Sequence, residues 1–349
     1  MTLARLSRLQ DNLGPGQHFF VTNLINIQYL TGFTGSNAAL LVSKSDATIA
    51  TDTRYEIQVR EQVPDLPALI GRNLSDLLLG NLSKSEVLVE GSSLSLNAYQ
   101  NLTNTLPHNF VVTDGVVEQL RVVKDDSEVQ LIQAACEIST QAYLEIIETV
   151  KVGQSEKFIR NALENRMREL GADGVAFDSI VATGSNSAIP HHEPTDREVQ
   201  VGDFLKIDFG AKLAGYHADC TRTAVVGKPS DWQIDLHVAV STAQLAGRNV
   251  IRSDIKFRDV EQVVIQSMTN SGFHEYFTHG LGHGVGLEIH EEPFFGRTGD
   301  AKIAPNTVIT IEPGAYLKGK GGVRVEDTIV VDSQGYRNLT NLPYELLEL

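Results

Sequence analysis

Cysteine is almost missing: Cys136 and Cys220 are the only two in 349 residues. That scarcity excludes a disulfide framework and a cysteine-rich structural zinc site. Long hydrophobic runs are missing as well. No window approaches the roughly 18 apolar residues of a bilayer span, and the polar opening MTLARLSRLQDNLG lacks the apolar centre of a secretory signal. A cytoplasmic location is therefore expected, with no membrane partner. Basic charge is in deficit, 29 Lys and Arg against 44 Asp and Glu, and the net charge of −15 opposes binding to phosphate backbones. Nucleic acid is not an expected partner. No low-complexity tract or strong internal repeat appears, and 42% apolar with 21% charged residues is ordinary globular usage. The length suits two domains better than one.

What is present changes character near residue 120. FFVTN, IQYLTG, AALLVS, ATIATD and EVLVEG read as strands, and TRYEIQVREQV as a helix capped by Asp52 or Thr53. Residues 1–120 are thus expected to form a smaller α/β domain. After the charged run RVVKDDSE, Val129, Ile132, Cys136, Tyr143, Ile147 and Val150 share one face of a helix starting near Asp126. Ser155 caps a second helix with Phe158, Ile159, Ala162, Leu163, Met167 and Leu170 inside and Gly171 as its stop. Pro229 to Ile251 and Phe257 to Thr269 read as helices too. The strands SIVATG, FLKIDFGA, CTRTAVVG, TVITIEPG and VRVEDTIVV lie between and after them. Residues 121–349 are expected to form an α+β domain, with both cysteines in its core.

The chemistry begins in KIDFGAKLAGYHADCTRT, where Asp208 sits between Ile207 and Phe209. If Lys206–Gly210 and His217–Thr221 are the arms of a hairpin with Leu213 and Ala214 at its tip, Asp208 directly opposes Asp219. Their Cβ atoms would then be about 4.5 to 5.5 Å apart, and like charges there repel unless a cation intervenes. A slipped register, with one Asp at a turn or in solvent, is the plainer alternative. Further acidic and imidazole groups weigh against it. HGLGHGVGLEIHEEP carries His279, His283 and His290, TIEPGAY carries Glu312, and GGVRVEDT carries Arg324 and Glu326, with both carboxylates expected on strands. Buried carboxylates must neutralise, pair or bind metal. An oxygen-rich set with one imidazole suits Mn²⁺, Co²⁺, Fe²⁺ or Zn²⁺, and bridging carboxylates would hold two ions about 3.5 to 4 Å apart. HGLGH has zincin spacing but lacks the Glu after its first His, and it fits no phosphate-loop pattern.

The ordered set IDFGA, ADCTRT, HGLGHGVGLEIHEEP, IEPGAY and GGVRVEDT resembles the metallopeptidases of the creatinase, or pita-bread, fold. Their proline-specific branch includes aminopeptidase P and Xaa-Pro dipeptidase (prolidase). The resemblance covers roughly Leu120 to Leu349. It implies metal ligands Asp208, Asp219, His283, Glu312 and Glu326, with Asp219 and Glu326 bridging two ions, Asp208 on one, and His283 and Glu312 on the other. Manganese leads among the implied metals, with Co²⁺, Zn²⁺ and Fe²⁺ as alternatives. A metal-bridging hydroxide would attack the scissile carbonyl, with Glu312 as proton shuttle. His191 matches the family's active-site histidine, with His192 following it. His279 and His290 match histidines that place substrate, Arg324 an arginine that orients the ligands, and Tyr316 a tyrosine near the site. YLTGFTGSNAALLV and TDTRY resemble the creatinase-type amino-terminal domain of aminopeptidase P proteins, in which Arg54 is either a substrate contact or a surface salt bridge. The substrate implied is a peptide with proline second, cleaved by an aminopeptidase P-like enzyme or, alternatively, by a strict dipeptidase, in a homodimer. Relatives that act on creatine or only bind proteins generally lose the ligand set kept here.

Overall fold

The structure is a computed structural model that describes residues 2–349; Met1, the first residue of the expected amino-terminal domain, lies outside them. Two compact units divide after Arg121.

In the first unit, α1 (Thr2–Asp11), β1 (Gln17–Val21), α2 (Leu24–Thr31), β2 (Ala38–Ser43) and β3 (Ala47–Thr51) come first. They are followed by α3 (Glu56–Gln62), β4 (Ala68–Ile70), α4 (Leu74–Leu79), β5 (Glu86–Glu90), α5 (Leu96–Thr105) and β6 (Asn109–Thr113). The strands form one mixed sheet in the order β4-β3-β2-β1-β5-β6. Phe20, Ala39, Ala50, Val87 and Val89 from the sheet pack with Leu79 and Leu102 from the helices. IQYLTG, expected as a strand, lies in α2 and its cap. The Asn23 side chain accepts from Ile25 N and Asn26 N, and Gly32 closes the helix at φ 79°, a left-handed cap that glycine adopts without a Cβ penalty. Arg54 forms a two-pronged pair with Asp52, Nε to Oδ1 at 2.9 Å and Nη2 to Oδ2 at 2.8 Å, while staying exposed.

The second unit follows α6 (Val116–Val122) and opens with α7 (Asp126–Ile147), started by a capping box between Asp125 and Glu128. Next come α8 (Glu156–Glu169), β7 (Gly174–Val175), β8 (Ile180–Thr183), β9 (Phe204–Phe209), β10 (Ala211–Leu213), β11 (Tyr216–His217) and β12 (Cys220–Val225). After α9 (Asp231–Val250) and α10 (Phe257–Asn270) come β13 (His283–Gly284), β14 (Glu291–Phe294), β15 (Val308–Ile311), β16 (Gly314–Leu317), β17 (Gly321–Arg324), β18 (Asp327–Val331) and β19 (Tyr336–Asn338). The chief sheets run β12-β9-β8 and β14-β13-β15-β18-β19, with β16-β17 as a separate hairpin. Ile159 and Leu163 of α8 and Tyr143 of α7 pack on Leu205, Ile207 and Phe209 of β9. Val240 of α9 and Val260 and Val264 of α10 pack on Ile309 and Ile311 of β15. Strand side chains alternate between faces, so Lys206 and Asp208, like Thr310, face away from those helices.

Three sequence expectations change here. Asp208 pairs with Thr221, not Asp219. The turn is Ala214–Gly215, at φ 50° and 88°, a two-residue turn with both φ positive that sets Leu213 against Tyr216. The shift is two residues, which preserves the side-chain face, so the two aspartates become diagonal neighbours instead of direct opposites. Gly210 permits the crossing, since a Cβ there would lie 1.8 Å from Ala218 O. VRVEDTIVV is broken into β17 and β18, because Glu326 leaves both strands to bridge Thr221 across to the other sheet. Phe158, expected inside α8, is 56% exposed; Ile159, Leu163 and Met167 carry the buried face. Both cysteines are buried and unpaired.

Candidate metal centre

The face of β9 opposite α8 presents Asp208, and the loop before β12 presents Asp219. Glu312 stands just past the end of β15, Glu326 between β17 and β18, and His283 begins β13. These five converge. One donor atom each from Asp208, Asp219 and Glu326 lie within 4.8 Å of one another, as do donors from His283, Glu312 and Glu326. A third such group joins Asp219 and His283 to His290. Glu312 and Glu326 were expected on strands; both stand just beyond strand ends, where the backbone can turn a carboxylate inward.

Charge crowding and desolvation act together on this cluster. Burial raises the pKa of Asp219 well above its ordinary value, and Glu326 and Asp208 raise it further. Glu326 is raised for the same reason, by burial and then by Glu312 and Asp208. Glu312 is pushed up to about 8, by burial and then by Asp208 against the opposing pull of Arg324. The Oδ1 atom of Asp208 is buried with no hydrogen-bond partner among the described residues. Buried carboxylates in this number call for cations, and their oxygens with one imidazole fit divalent metal ions.

The imidazole is oriented for coordination. Nδ1 of His283 lies 3.0 Å from Gly284 O and donates to it, which leaves Nε2 as the lone-pair nitrogen, 3.5 Å from Asp219 Oδ2 and 3.4 Å from Glu312 Oε1. Burial, then the adjacent His290, lowers its pKa to about 4, so the ring is neutral at pH 7. His290 packs edge-on against it at 4.4 Å between ring centroids.

Arg324 ties the carboxylates to the cleft wall. Its Nε donates to Thr221 Oγ1 at 3.0 Å, Nη1 to Tyr316 OH at 2.9 Å and to Pro190 O at 3.2 Å, and Nη2 to Asp208 Oδ2. Thr221 in turn donates to Glu326 Oε2 at 2.6 Å. His279 Nε2 is 2.9 Å from Tyr316 OH, and burial, then Arg324, lowers its pKa to about 4. Tyr316 and His279 thus form one chain with Arg324.

His191 is exposed, lines the same cavity of about 570 Å³, and has no hydrogen-bond partner among the described residues. Its neighbour His192 faces inward, with Nε2 2.8 Å from Glu156 Oε2. Glu156 also accepts from Thr183 N, Asn186 Nδ2, and Thr195 N and Oγ1. His192 therefore anchors the loop, and His191 is left facing the cleft. Sequence reasoning missed Glu156, Thr221 and Lys206, the last being a buried lysine on the face that carries Asp208. Only the first had a local signal, its place one residue after the helix cap Ser155.

Residues 130–333 match metallopeptidase family M24, and residues 5–123 match the creatinase/prolidase N-terminal domain. A Xaa-Pro dipeptidase from Bacillus anthracis superposes with a TM-score of 0.96 at 34% identity, covering 100% of both chains. An X-Pro aminopeptidase from Thermotoga maritima superposes at 0.90 with 35% identity, covering 97% of this chain and 99% of its own. A Xaa-Pro dipeptidase of Pyrococcus horikoshii is 37% identical in sequence over 92% of each chain.

Proposed function

Because this chain belongs to the proline-specific branch of metallopeptidase family M24, in the two-domain creatinase-like architecture, we propose that it hydrolyses the bond between an amino-terminal residue and a following proline. The observation that carries this reading is the convergence of Asp208, Asp219, His283, Glu312 and Glu326 in one cavity. Glu326 belongs to both the Asp208 group and the His283 group, and Asp219 reaches His283 as well. That sharing supports these five as the residues that would hold two divalent ions, Asp219 and Glu326 serving both, Asp208 one, and His283 and Glu312 the other. Such ions, Mn²⁺ first among them with Co²⁺, Zn²⁺ and Fe²⁺ as alternatives, supply Lewis acidity toward water and the scissile carbonyl.

The chain's own groups do the rest. Glu312, at the edge of the cluster with Oε1 3.4 Å from His283 Nε2, is placed to take a proton and return it. His279, neutral and held by Tyr316, and His290, on the cavity wall, are placed to hydrogen-bond a substrate oxygen. His191 reaches the same space. Arg324 fixes Asp208 and Tyr316 together. The protein is read as a cytoplasmic homodimer.

A choice remains between longer peptides, which the amino-terminal motifs favour, and dipeptides. Arg160 and Arg297 line the cavity, neither has an acidic partner among the described residues, and Arg297 lies 3.8 Å from the centroid of the Phe294 ring. Two unneutralised guanidinium groups on the wall of the cavity that holds the carboxylate cluster favour a ligand with a free carboxylate, so the dipeptidase reading is preferred to the aminopeptidase P-like one. Turnover of Xaa-Pro is compared with Xaa-Pro-Yaa-Zaa in Mn²⁺, Co²⁺ and Zn²⁺. Faster cleavage of the tetrapeptide would reverse the preference, and cleavage of neither would end the proposal.

A further inference from the structure

Lys206 is fully buried, and no carboxylate forms an ion pair with it among the described residues. A lysine in such a place is costly unless its donors are used. Its Nζ donates to Ile189 O at 2.7 Å and to Pro190 O at 3.3 Å, and stands 5.0 Å from the centroid of the Tyr316 ring. Pro190 O also accepts from Arg324 Nη1 at 3.2 Å. On the far side of His191, Glu156 holds His192 and Thr195. The loop is thus held on both sides of one residue, by the Ile189 and Pro190 carbonyls before it and by the His192 side chain and Thr195 N after it, and the ring of that residue is exposed and faces the cavity.

An apolar side chain would occupy the Lys206 position at lower cost, but it would leave the Ile189 carbonyl without its donor. Lys206 also stands two residues from Asp208 on the same face of β9, so one strand sets both a carboxylate of the cluster and the loop facing it. We propose that Lys206 is a positioning residue: by holding the Ile189 and Pro190 carbonyls and the Tyr316 ring, it sets where His191 stands in the cleft. The inference rests on the reading above only in taking His191 to meet substrate.

The test uses the full-length chain with Lys206→Met, Lys206→Gln, His191→Ala and the Lys206→Met/His191→Ala double variant. Lys206→Met should bind two Mn²⁺ ions with unchanged stoichiometry and keep its melting temperature. It should exchange the Ile189 amide hydrogen, which donates to Asn186 O at 2.9 Å, at least about tenfold faster and lose about tenfold or more in kcat on a Xaa-Pro dipeptide, with a smaller change in KM. Lys206→Gln, which keeps an N–H donor, should recover part of both losses. In the His191→Ala background Lys206→Met should cost less than about twofold more, because a residue acting through His191 has nothing left to position. The same loss in both backgrounds, or unchanged exchange of the Ile189 amide, overturns the proposal. If wild type cleaves no Xaa-Pro peptide, the functional reading fails by itself, and the exchange comparison still decides whether Lys206 holds the loop.

Discussion

Chelator-treated protein should carry protons in its carboxylate cluster and release them when cations bind. Donor atoms of Asp208, Asp219 and Glu326 lie within 4.8 Å of one another. Two unit charges at that separation repel by about 3.5 kcal/mol at an effective dielectric of about 20. Set against the roughly 5 to 15 kcal/mol that keeps a domain folded, even one such repulsion is large, so protonation relieves it. Glu312, raised from 4.5 to about 8 by burial and then by Asp208, binds more protons folded than unfolded between those values. Its contribution to stability is therefore complete below about pH 4.5 and is lost as the pH rises through about 8. Metal-free protein should melt lower at pH 8 than at pH 5.5. Relief of one repulsion of this size corresponds to roughly 7 to 14 °C for a unit of this length, and loaded protein should show much less of that slope.

The assay is calorimetric titration of Mn²⁺ into chelator-treated chain at pH 7, in two buffers of different ionisation enthalpy, which counts protons released per chain. About one or two are expected, with the Glu312 share vanishing above about pH 8. Zero release at pH 7, together with a melting difference between loaded and metal-free protein that does not change with pH, would refute the reasoning. The carboxylates would then already be ionised and solvated before the metal arrives.

Four substitutions follow from the same geometry. Gly210→Ala would place a Cβ 1.8 Å from Ala218 O and should cost about 3 kcal/mol or more, whereas Gly174→Ala, with no atom within 4 Å of its would-be Cβ, should be nearly silent in the same thermal melts. Arg324→Lys puts all donors on one nitrogen, which cannot serve Thr221, Tyr316, Pro190 and Asp208 together; a loss of about a hundredfold in kcat/KM is expected in steady-state kinetics. Glu156→Gln gives up the carboxylate that gathers Thr183, Asn186, His192 and Thr195, and should lower stability by about 1 to 3 kcal/mol in denaturant melts.

Periodicity made the long helices legible. Val129, Ile132, Cys136, Tyr143 and Ile147 are buried on α7 as their spacing implies, and Ser155 accepts from Phe158 N as the cap of α8. Short elements were harder, because IQYLTG is apolar in both helical and strand registers and only its flanking Asn23 and Gly32 decide between them. The hairpin register depended on where the turn falls. Ala214 adopts a positive φ that its residue type does not advertise, and its N–H is held by Asp173 Oδ2 at 2.6 Å, from a residue distant in sequence.

The site divides along the same line. Asp208 was readable as an inward residue because Ile207 and Phe209 beside it must face the helices, and alternation does the rest. The strand break at Glu326 was not readable, since valines on both sides continue the strand pattern while the bridge to Thr221 comes from 105 residues away. Lys206 is the extreme case. In isolation it reads as the polar position of an alternating strand, which would send it to solvent, yet that face of β9 is the inner one. A lysine on an inner face must find acceptors, and the ones it finds belong to a loop 16 and 17 residues earlier. Which carbonyls those are follows from the assembled fold alone, so residues that hold other residues in place surface only once the strands have been laid side by side.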